Sequence, residues 1–298
     1  MLLDAGSSGE NGAHATESAL RCLRLYALGH RGKAHAEASA TNDDAGAEPE
    51  SDQLVRGSIL HVGLAHWYLA RGIRAEGGTE ASIEENIFSP DAAMEIVAAK
   101  KGRIGAKWLE ACKVGMRAYA VKHAKETARV LCVEELLKAE VPFVHHGETY
   151  NLPWTQRLDL GVAEADGIWF VDHKVVGRIT PEITDRYVLS LQMIGYRYLG
   201  AKLYGRDFRG VKVNYIEVRK PDVVAADIKF SREVVPPAPD SQKSFAATVF
   251  EARRRVAFWD DVDPTGVTWP KANSEMACVT KYGACPHFSR CQWGGGGG

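Results

Sequence analysis

The chain has no apolar run approaching the roughly 18–20 residues that a membrane span needs. Its first residues, MLLDAGSSGENGAHATES, lack the basic-then-apolar order of a secretory signal. The net charge is only −1, from 37 Lys and Arg against 38 Asp and Glu, so overall electrostatics announce neither a nucleic acid nor a membrane as partner. No segment recurs with a period of about 20–50 residues, which argues against a solenoid. Six cysteines in 298 residues without a signal sequence do not make a disulfide framework. At 45% hydrophobic and 25% charged residues the composition is that of a globular protein, and it excludes wholesale disorder and collagen-like repeats. The expectation is a soluble cytoplasmic protein with one large domain, or a core with a helical subdomain.

Local features are more informative. Between Lys100 and Arg129 nine Lys or Arg stand against two acids, Glu110 and Glu126. Such a stretch is either a phosphate-facing surface or a solvated helix face. Periodicity predicts helices over Glu17–Leu28 and Leu54–Arg71, separated by a polar, aperiodic loop at Ala34–Asp52. From Ser82 to Ala139 the pattern is almost continuously helical, with a break near Phe88–Pro90. After Val141 the texture changes. Arg157–Val162 and Ile168–Val176 are rich in β-formers and flank EADG, a hairpin signal. A helix over Pro181–Leu203, a strand at Val211–Val218, a Pro-rich connector at Val234–Pro239 and a helix at Ser244–Trp259 follow. The sum is an α/β or α+β core with a helical lobe.

The hairpin carries charges that need a reason. Side chains alternate across a strand, so Asp172 and Lys174 share a face. With Glu164–Gly167 as a four-residue loop, Ala163 faces Ile168 and Asp159 falls opposite Asp172. Like charges so placed repel unless a cation lies between them. Two carboxylates suit Mg²⁺ or Mn²⁺ rather than Zn²⁺, and the lysine can hold the attacking water. Metal, water and a cation beside a phosphate are the needs of phosphodiester hydrolysis. D-x-K by itself is common and usually a solvated pair. Here, however, the strand is apolar on both faces through Trp169, Phe170, Val171 and Val175.

These residues resemble the RecB-like branch of the PD-(D/E)XK nucleases, in chain order and over most of the sequence. Gly57–His61 resembles the family's G-x-x-x-H helix, Arg157–Asp159 the strand with the first metal aspartate, Asp172–Lys174 the (D/E)-x-K, and Gln192–Tyr196 the Q-x-x-x-Y helix. The resemblance implies a restriction-endonuclease-like α/β core, a mixed central sheet flanked by helices, with a helical N-terminal lobe. It divides the chain into a lobe at 1–140, a nuclease core at 141–235 and a C-terminal segment at 236–298. It implies metal ligation by His61, Asp159, Asp172 and the carbonyl of His173, with Lys174 positioning water. Gln192 and Tyr196 are implied to steady the site and contact DNA, and Glu134 or Glu135 is a weaker candidate. Two departures stand out: Gln156 where the family usually has glycine, and Asp172 where glutamate is also common.

Cys278, Cys285 and Cys291 crowd the C-terminal stretch, and Cys22 opens an RCLRLY segment. Some RecB-like nucleases carry such a triad and one N-terminal cysteine around a 4Fe–4S cluster, which the resemblance implies here. Zinc on Cys278, Cys285, His287 and Cys291 is the alternative. Cys112 and Cys132 read as small core residues. The implied function is a Mg²⁺- or Mn²⁺-dependent deoxyribonuclease, an exonuclease on single strands or ends, serving recombination, repair or CRISPR adaptation. Its expected partners are DNA and a recombination or CRISPR-adaptation protein, with no membrane. The alternatives are a non-catalytic DNA-binding or scaffold subunit of a recombination complex, and an iron–sulfur redox protein.

Overall fold

The computed structural model describes residues 8–9, 11–31, 52–102, 104–264, 269–272, 278–280 and 283–285. Residues 34–51, His287, Cys291 and the terminal glycines lie outside the described residues. Helices α1 (Ala13–Arg21) and α2 (Leu23–Tyr26) lead into a π-helical turn, followed by α3 (Asp52–Ala75), α4 (Glu80–Asn86), α5 (Pro90–Lys101) and α6 (Ala106–Lys122). Strands β1 (Arg129–His145), β2 (Glu148–Glu164) and β3 (Gly167–Val176) come next. After them stand α7 (Asp185–Val188), α8 (Leu191–Tyr204), β4 (Phe208–Glu217), β5 (Lys229–Val234) and α9 (Pro239–Val262). Two short strands, β6 (Val279–Thr280) and β7 (Gly283–Ala284), are the last described elements.

The main sheet has the order β1-β2-β3-β4-β5. Strands β2 and β3 are antiparallel, β3 and β4 parallel, and β4 and β5 antiparallel. The parallel pair requires a crossover, supplied by α7 and α8. A mixed sheet flanked by helices, with a helical N-terminal region, is the α/β class expected. The residues divide into two compact units: 52–137 with 157–242, and 8–31 with 138–156 and the chain from 243.

In the first unit α3 lays Val55, Ile59, Leu60, Leu64 and Tyr68 into a core with Met94 of α5, Met116 of α6 and Leu160, Val162, Val171 and Ile216 of the sheet. Burying each large apolar side chain contributes about 1.5–3 kcal/mol. Helices α3 and α5 approach closely at Gly63, where a Cβ would lie 2.9 Å from Met94 Sδ. Ser89 caps α5 by accepting from Ala92 N–H at 3.3 Å, and Gly102, at φ +64°, ends it. Ser190 caps α8 in the same way through Met193 N–H.

Two sequence expectations need correction. Helix does not run to Ala139: it stops at Lys122, and Arg129–His145 is strand. Glu134, Leu137 and Val141 are its buried positions, a spacing of three and four that imitates a helix. The odd step arises because Glu134 sits at φ +50°, which shifts the strand's alternation. Pairing in the sheet overrides the helix propensity of EELLKAE. The β2–β3 connection is also shorter than expected, a two-residue turn with Glu164 paired to Gly167. The register itself is as expected, with Ala163 opposite Ile168.

Three of the nine basic residues of the stretch at 100–129 are paired with acids. Lys113 pairs with Glu95, Arg117 with Asp91 and Glu110, and Lys107 with Asp222. Arg103 lies outside the described residues. In the second unit Ala15, Ala19, Tyr26, Ala252 and Trp269 form a small core, with Tyr26 stacked on Trp269.

Two histidines of the first unit, His66 fully buried and His123 partly so, are held neutral. Burial lowers the pKa of His66, against the pull of its bond to Phe88 O. Burial and then the Arg232 charge lower His123 to about 4, and His123 Nε2 has no hydrogen-bond partner among the described residues. A base whose folded pKa lies below its unfolded value stabilises the fold above the unfolded pKa and loses that contribution as pH falls toward the folded one. The urea midpoint is therefore expected to fall between pH 6.5 and pH 4, and less steeply in His123→Gln. The difference should be about 1 kcal/mol after allowance for partial exposure. Parallel pH profiles for the two proteins would contradict this.

Candidate metal centre

The β2–β3 ladder ends at Leu160 and Val171, one residue short of the two aspartates. Asp159 does not pair with Asp172 through the backbone. Its carboxylate instead accepts the His173 N–H at 2.7 Å. Asp159 Oδ2 also lies 3.5 Å from Nδ1 of His61, which α3 presents toward it. Glu134 completes the group: one ligand atom each from His61, Glu134 and Asp159 falls within 4.8 Å of the others. Among the described residues only these three converge in this way.

Asp172 sits beside that group, fully buried. Its Oδ1 accepts from Gln192 Nε2 at 2.9 Å. Its Oδ2 forms a short ion pair with Lys174, 2.8 Å from Nζ. Gln192 is oriented by both neighbours, since its Oε1 accepts from Lys174 Nζ at 3.2 Å while Nε2 also donates to Tyr196 Oη at 3.3 Å. Tyr196 in turn donates to Arg157 O at 2.7 Å. One turn of capped helix thus ties the aspartate, the lysine and strand β2 together. Tyr187 covers Lys174, with Nζ 5.8 Å from the ring centroid.

The electrostatics are those of crowded carboxylates. Burial, then the charge of Asp159, raises the Glu134 pKa well above the usual carboxyl range, against the pull of Arg157. Burial likewise raises Asp172, with Lys174 opposing and Asp159 reinforcing. For Lys174 burial disfavours charge, but Asp172 and then Asp159 raise its pKa overall. Burial and the neighbouring aspartates also keep Tyr196 a phenol. The His173 ring occupies the opposite face of the strand, stacked on Tyr68 at 5.8 Å.

Two carboxylates and an imidazole, with the buried Asp172 carboxylate beside them, form a donor set that fits a hard divalent cation. Of the residues singled out in the sequence, His61, Asp159, Asp172, Lys174, Gln192 and Tyr196 are brought to one place. Glu134, the weaker candidate, lies at the centre of it. Its signal was the acid ahead of the hairpin, masked by the helical look of its neighbours. Arg157, which donates to Glu134 O at 2.6 Å and secures that residue at its positive φ, was read only as part of a motif. Cys22, Cys278 and Cys285 do not form a comparable group among the described residues.

The sequence matches the PD-(D/E)XK nuclease superfamily over residues 13–292, and the chain belongs to that superfamily. Its sheet and flanking helices are accordingly a restriction-endonuclease-like fold, and its members' class of chemistry is metal-dependent nuclease activity. Among curated proteins none matches. Of the solved structures, the crystal structure of SSO0001 is similar with a TM-score of 0.29 at 11% identity, over 54% of this chain. The similarity spans 64% of that protein's chain. Among the described residues no helix is long and apolar enough to cross a membrane.

A crowd of buried carboxylates lowers stability until a cation compensates it. Glu134→Gln is expected to raise the melting temperature in EDTA by about 2–4 °C. Excess Mn²⁺ should stabilise the unmodified chain by about 2.7 kcal/mol at a hundredfold over Kd, and should scarcely move the variant. Equal Mn²⁺ shifts for both proteins would remove Glu134 from the centre.

Proposed function

We propose that the chain is a Mg²⁺- or Mn²⁺-dependent deoxyribonuclease of the RecB-like branch. In this reading it is an exonuclease on single strands or free ends, serving recombination, repair or CRISPR adaptation. The observation that carries the reading is the convergence of His61, Glu134 and Asp159 beside the Asp172–Lys174–Gln192 set. The four motifs in family order support the branch. The metal, when bound, supplies polarisation of the scissile phosphate and stabilisation of the leaving oxygen. His61, Glu134 and Asp159 would hold it, with the Asp172 carboxylate buried beside them, and the His173 carbonyl is the further ligand the family implies. Lys174 orients the attacking water and offers a positive charge to the phosphate. Gln192 keeps Lys174 and Asp172 in register, and Tyr196 fixes the end of β2.

The same reading gives Cys22, Cys278, Cys285 and Cys291 to a 4Fe–4S cluster, with zinc on Cys278, Cys285, His287 and Cys291 as the alternative. Support comes from the β6–β7 hairpin, whose pairing of Val279 with Ala284 sets Cys278 and Cys285 side by side. Cys285 N–H donates to Cys278 O at 2.7 Å. Cys22 caps α2, and its sulfur accepts from Leu25 N–H at 3.4 Å. The cluster's role is structural, tying the first helices to the tail.

Cleavage of 5′- and 3′-labelled single and double strands in Mg²⁺, Mn²⁺ or EDTA tests the enzyme. The unmodified chain should cut only with metal. Lys174→Ala should lower the rate by about 10²–10⁴-fold while DNA binding, which rests on backbone contacts elsewhere, is retained. A chain that binds DNA and cuts nothing would favour the non-catalytic scaffold reading. For the cluster, anaerobically purified protein should be brown and contain iron and sulfide, and Cys22→Ser should lose both. Colourless protein carrying zinc, indifferent to Cys22→Ser, would favour the local zinc site.

A further inference from the structure

On the face of the sheet opposite Asp172 and Lys174, three polar residues stand in a row across three strands. His173 of β3 is in register with Asn214 of β4, and Asn214 with Arg232 of β5. Their neighbours on that face, Val171, Val175, Ile216 and Phe230, belong to the apolar core. The row is tightly bonded. Arg232 donates to the Glu126 carboxylate, to Tyr68 Oη at 2.9 Å and to Tyr119 Oη at 2.8 Å, and its Nε donates to Asn214 Oδ1 at 3.4 Å. Asn214 is fully buried and His173 nearly so. A largely buried ion pair in such a place gains little stability over well-packed apolar residues, so the row needs another reason.

The direction of the bonds supplies one. A guanidinium only donates, so Asn214 must turn its oxygen to Arg232 and its amide nitrogen to His173. Asn214 Nδ2 lies 2.9 Å from His173 Nδ1. Nδ1 is therefore the acceptor, and the neutral ring carries its proton on Nε2. His173 is also the residue that touches two members of the metal centre. Its backbone N–H donates to Asp159 Oδ2, and its ring meets the His61 ring edge to face at 6.1 Å.

We propose that Arg232 and Asn214 are positioning residues for the metal centre, fixing the rotamer and tautomer of His173 and through it the orientation of His61 and Asp159. The inference rests on the metal-centre reading above and adds to it the part of the sheet that sets ligand geometry. Outer partners of this kind typically contribute about 10–100-fold in metal affinity.

Asn214→Asp separates positioning from mere structure. The carboxylate keeps the bond to Arg232 but can only accept from the ring, so His173 Nδ1 must carry a proton, whether moved from Nε2 or added to give the imidazolium. The ¹⁵N shifts of the His173 imidazole, measured in EDTA on the full chain, report the tautomer, and calorimetry reports Mn²⁺ affinity. The expected result is Nε2–H in the unmodified chain and Nδ1–H in the variant. The variant should keep its melting temperature within a few degrees and lose about 10–100-fold in Mn²⁺ affinity. Nδ1–H in the unmodified chain, or Nδ1–H in the variant with unchanged affinity, would overturn the proposal. Should Asn214→Asp not fold, Arg232→Lys asks the same question: it keeps a charge beside Glu126 but cannot hold Asn214 and both tyrosines at once. A folded Arg232→Lys protein with undiminished affinity would equally overturn it. An unmodified chain that binds no Mn²⁺ refutes the metal-centre reading itself, whereas equal binding by both proteins refutes only the positioning role.

Discussion

Where the β2–β3 ladder runs out, Glu134, Asp159 and Asp172 are gathered with little water around them, and the cost of that crowding governs the surrounding architecture. Carboxylates at such distances cannot all ionise in a low-dielectric site without a compensating charge. Lys174 compensates Asp172 directly. Arg157 lies close enough to oppose the rise in the Glu134 pKa. A divalent cation would complete the compensation, and the imidazole of His61 makes the third side of its coordination group. The neighbouring elements divide the work of building the site. Helix α3 brings His61, the bend at Glu134 brings the acid, and α8 holds the aspartate and lysine through one glutamine.

The superfamily supplies the chemistry, and this chain's own residues show how it is braced. Gln192 is bonded to Lys174, Asp172 and Tyr196 at once, so none of the three can shift alone. On the far side of β3 the His173–Asn214–Arg232 row braces the strand from behind. The site is therefore clamped between a capped helix on one face and a buried polar row on the other. A catalytic group needs such support, because small displacements at the reacting centre cost large factors in rate.

How much of this was legible in the sequence can be judged from individual residues. The hairpin register was legible, because two β-rich segments around EADG can pair with the aspartates on one face in only one way. His61 and Gln192 were legible through their motifs, although nothing local showed that Asp159 would bond a backbone amide instead of facing Asp172. Glu134 was obscured by its own backbone. The left-handed bend that aims it into the site also spaces the buried residues of β1 like those of a helix. The positive stretch after Lys100 was legible as charge, but not the pairing of three of its nine basic residues, because Asp91, Glu95 and Asp222 come from other segments. Asn214 and Arg232 carried no signal, because their meaning lies wholly in cross-strand register.

The most direct test of the account is whether a metal bound to this protein is held by the His61 nitrogen. Electron spin-echo envelope modulation of one equivalent of Mn²⁺ on the full chain detects a directly coordinated imidazole ¹⁴N. The account predicts such a coupling in the unmodified protein and its loss in His61→Ala, with Mn²⁺ affinity falling as well. A bound Mn²⁺ without nitrogen coupling, or a coupling that survives His61→Ala, would place the metal elsewhere and contradict it.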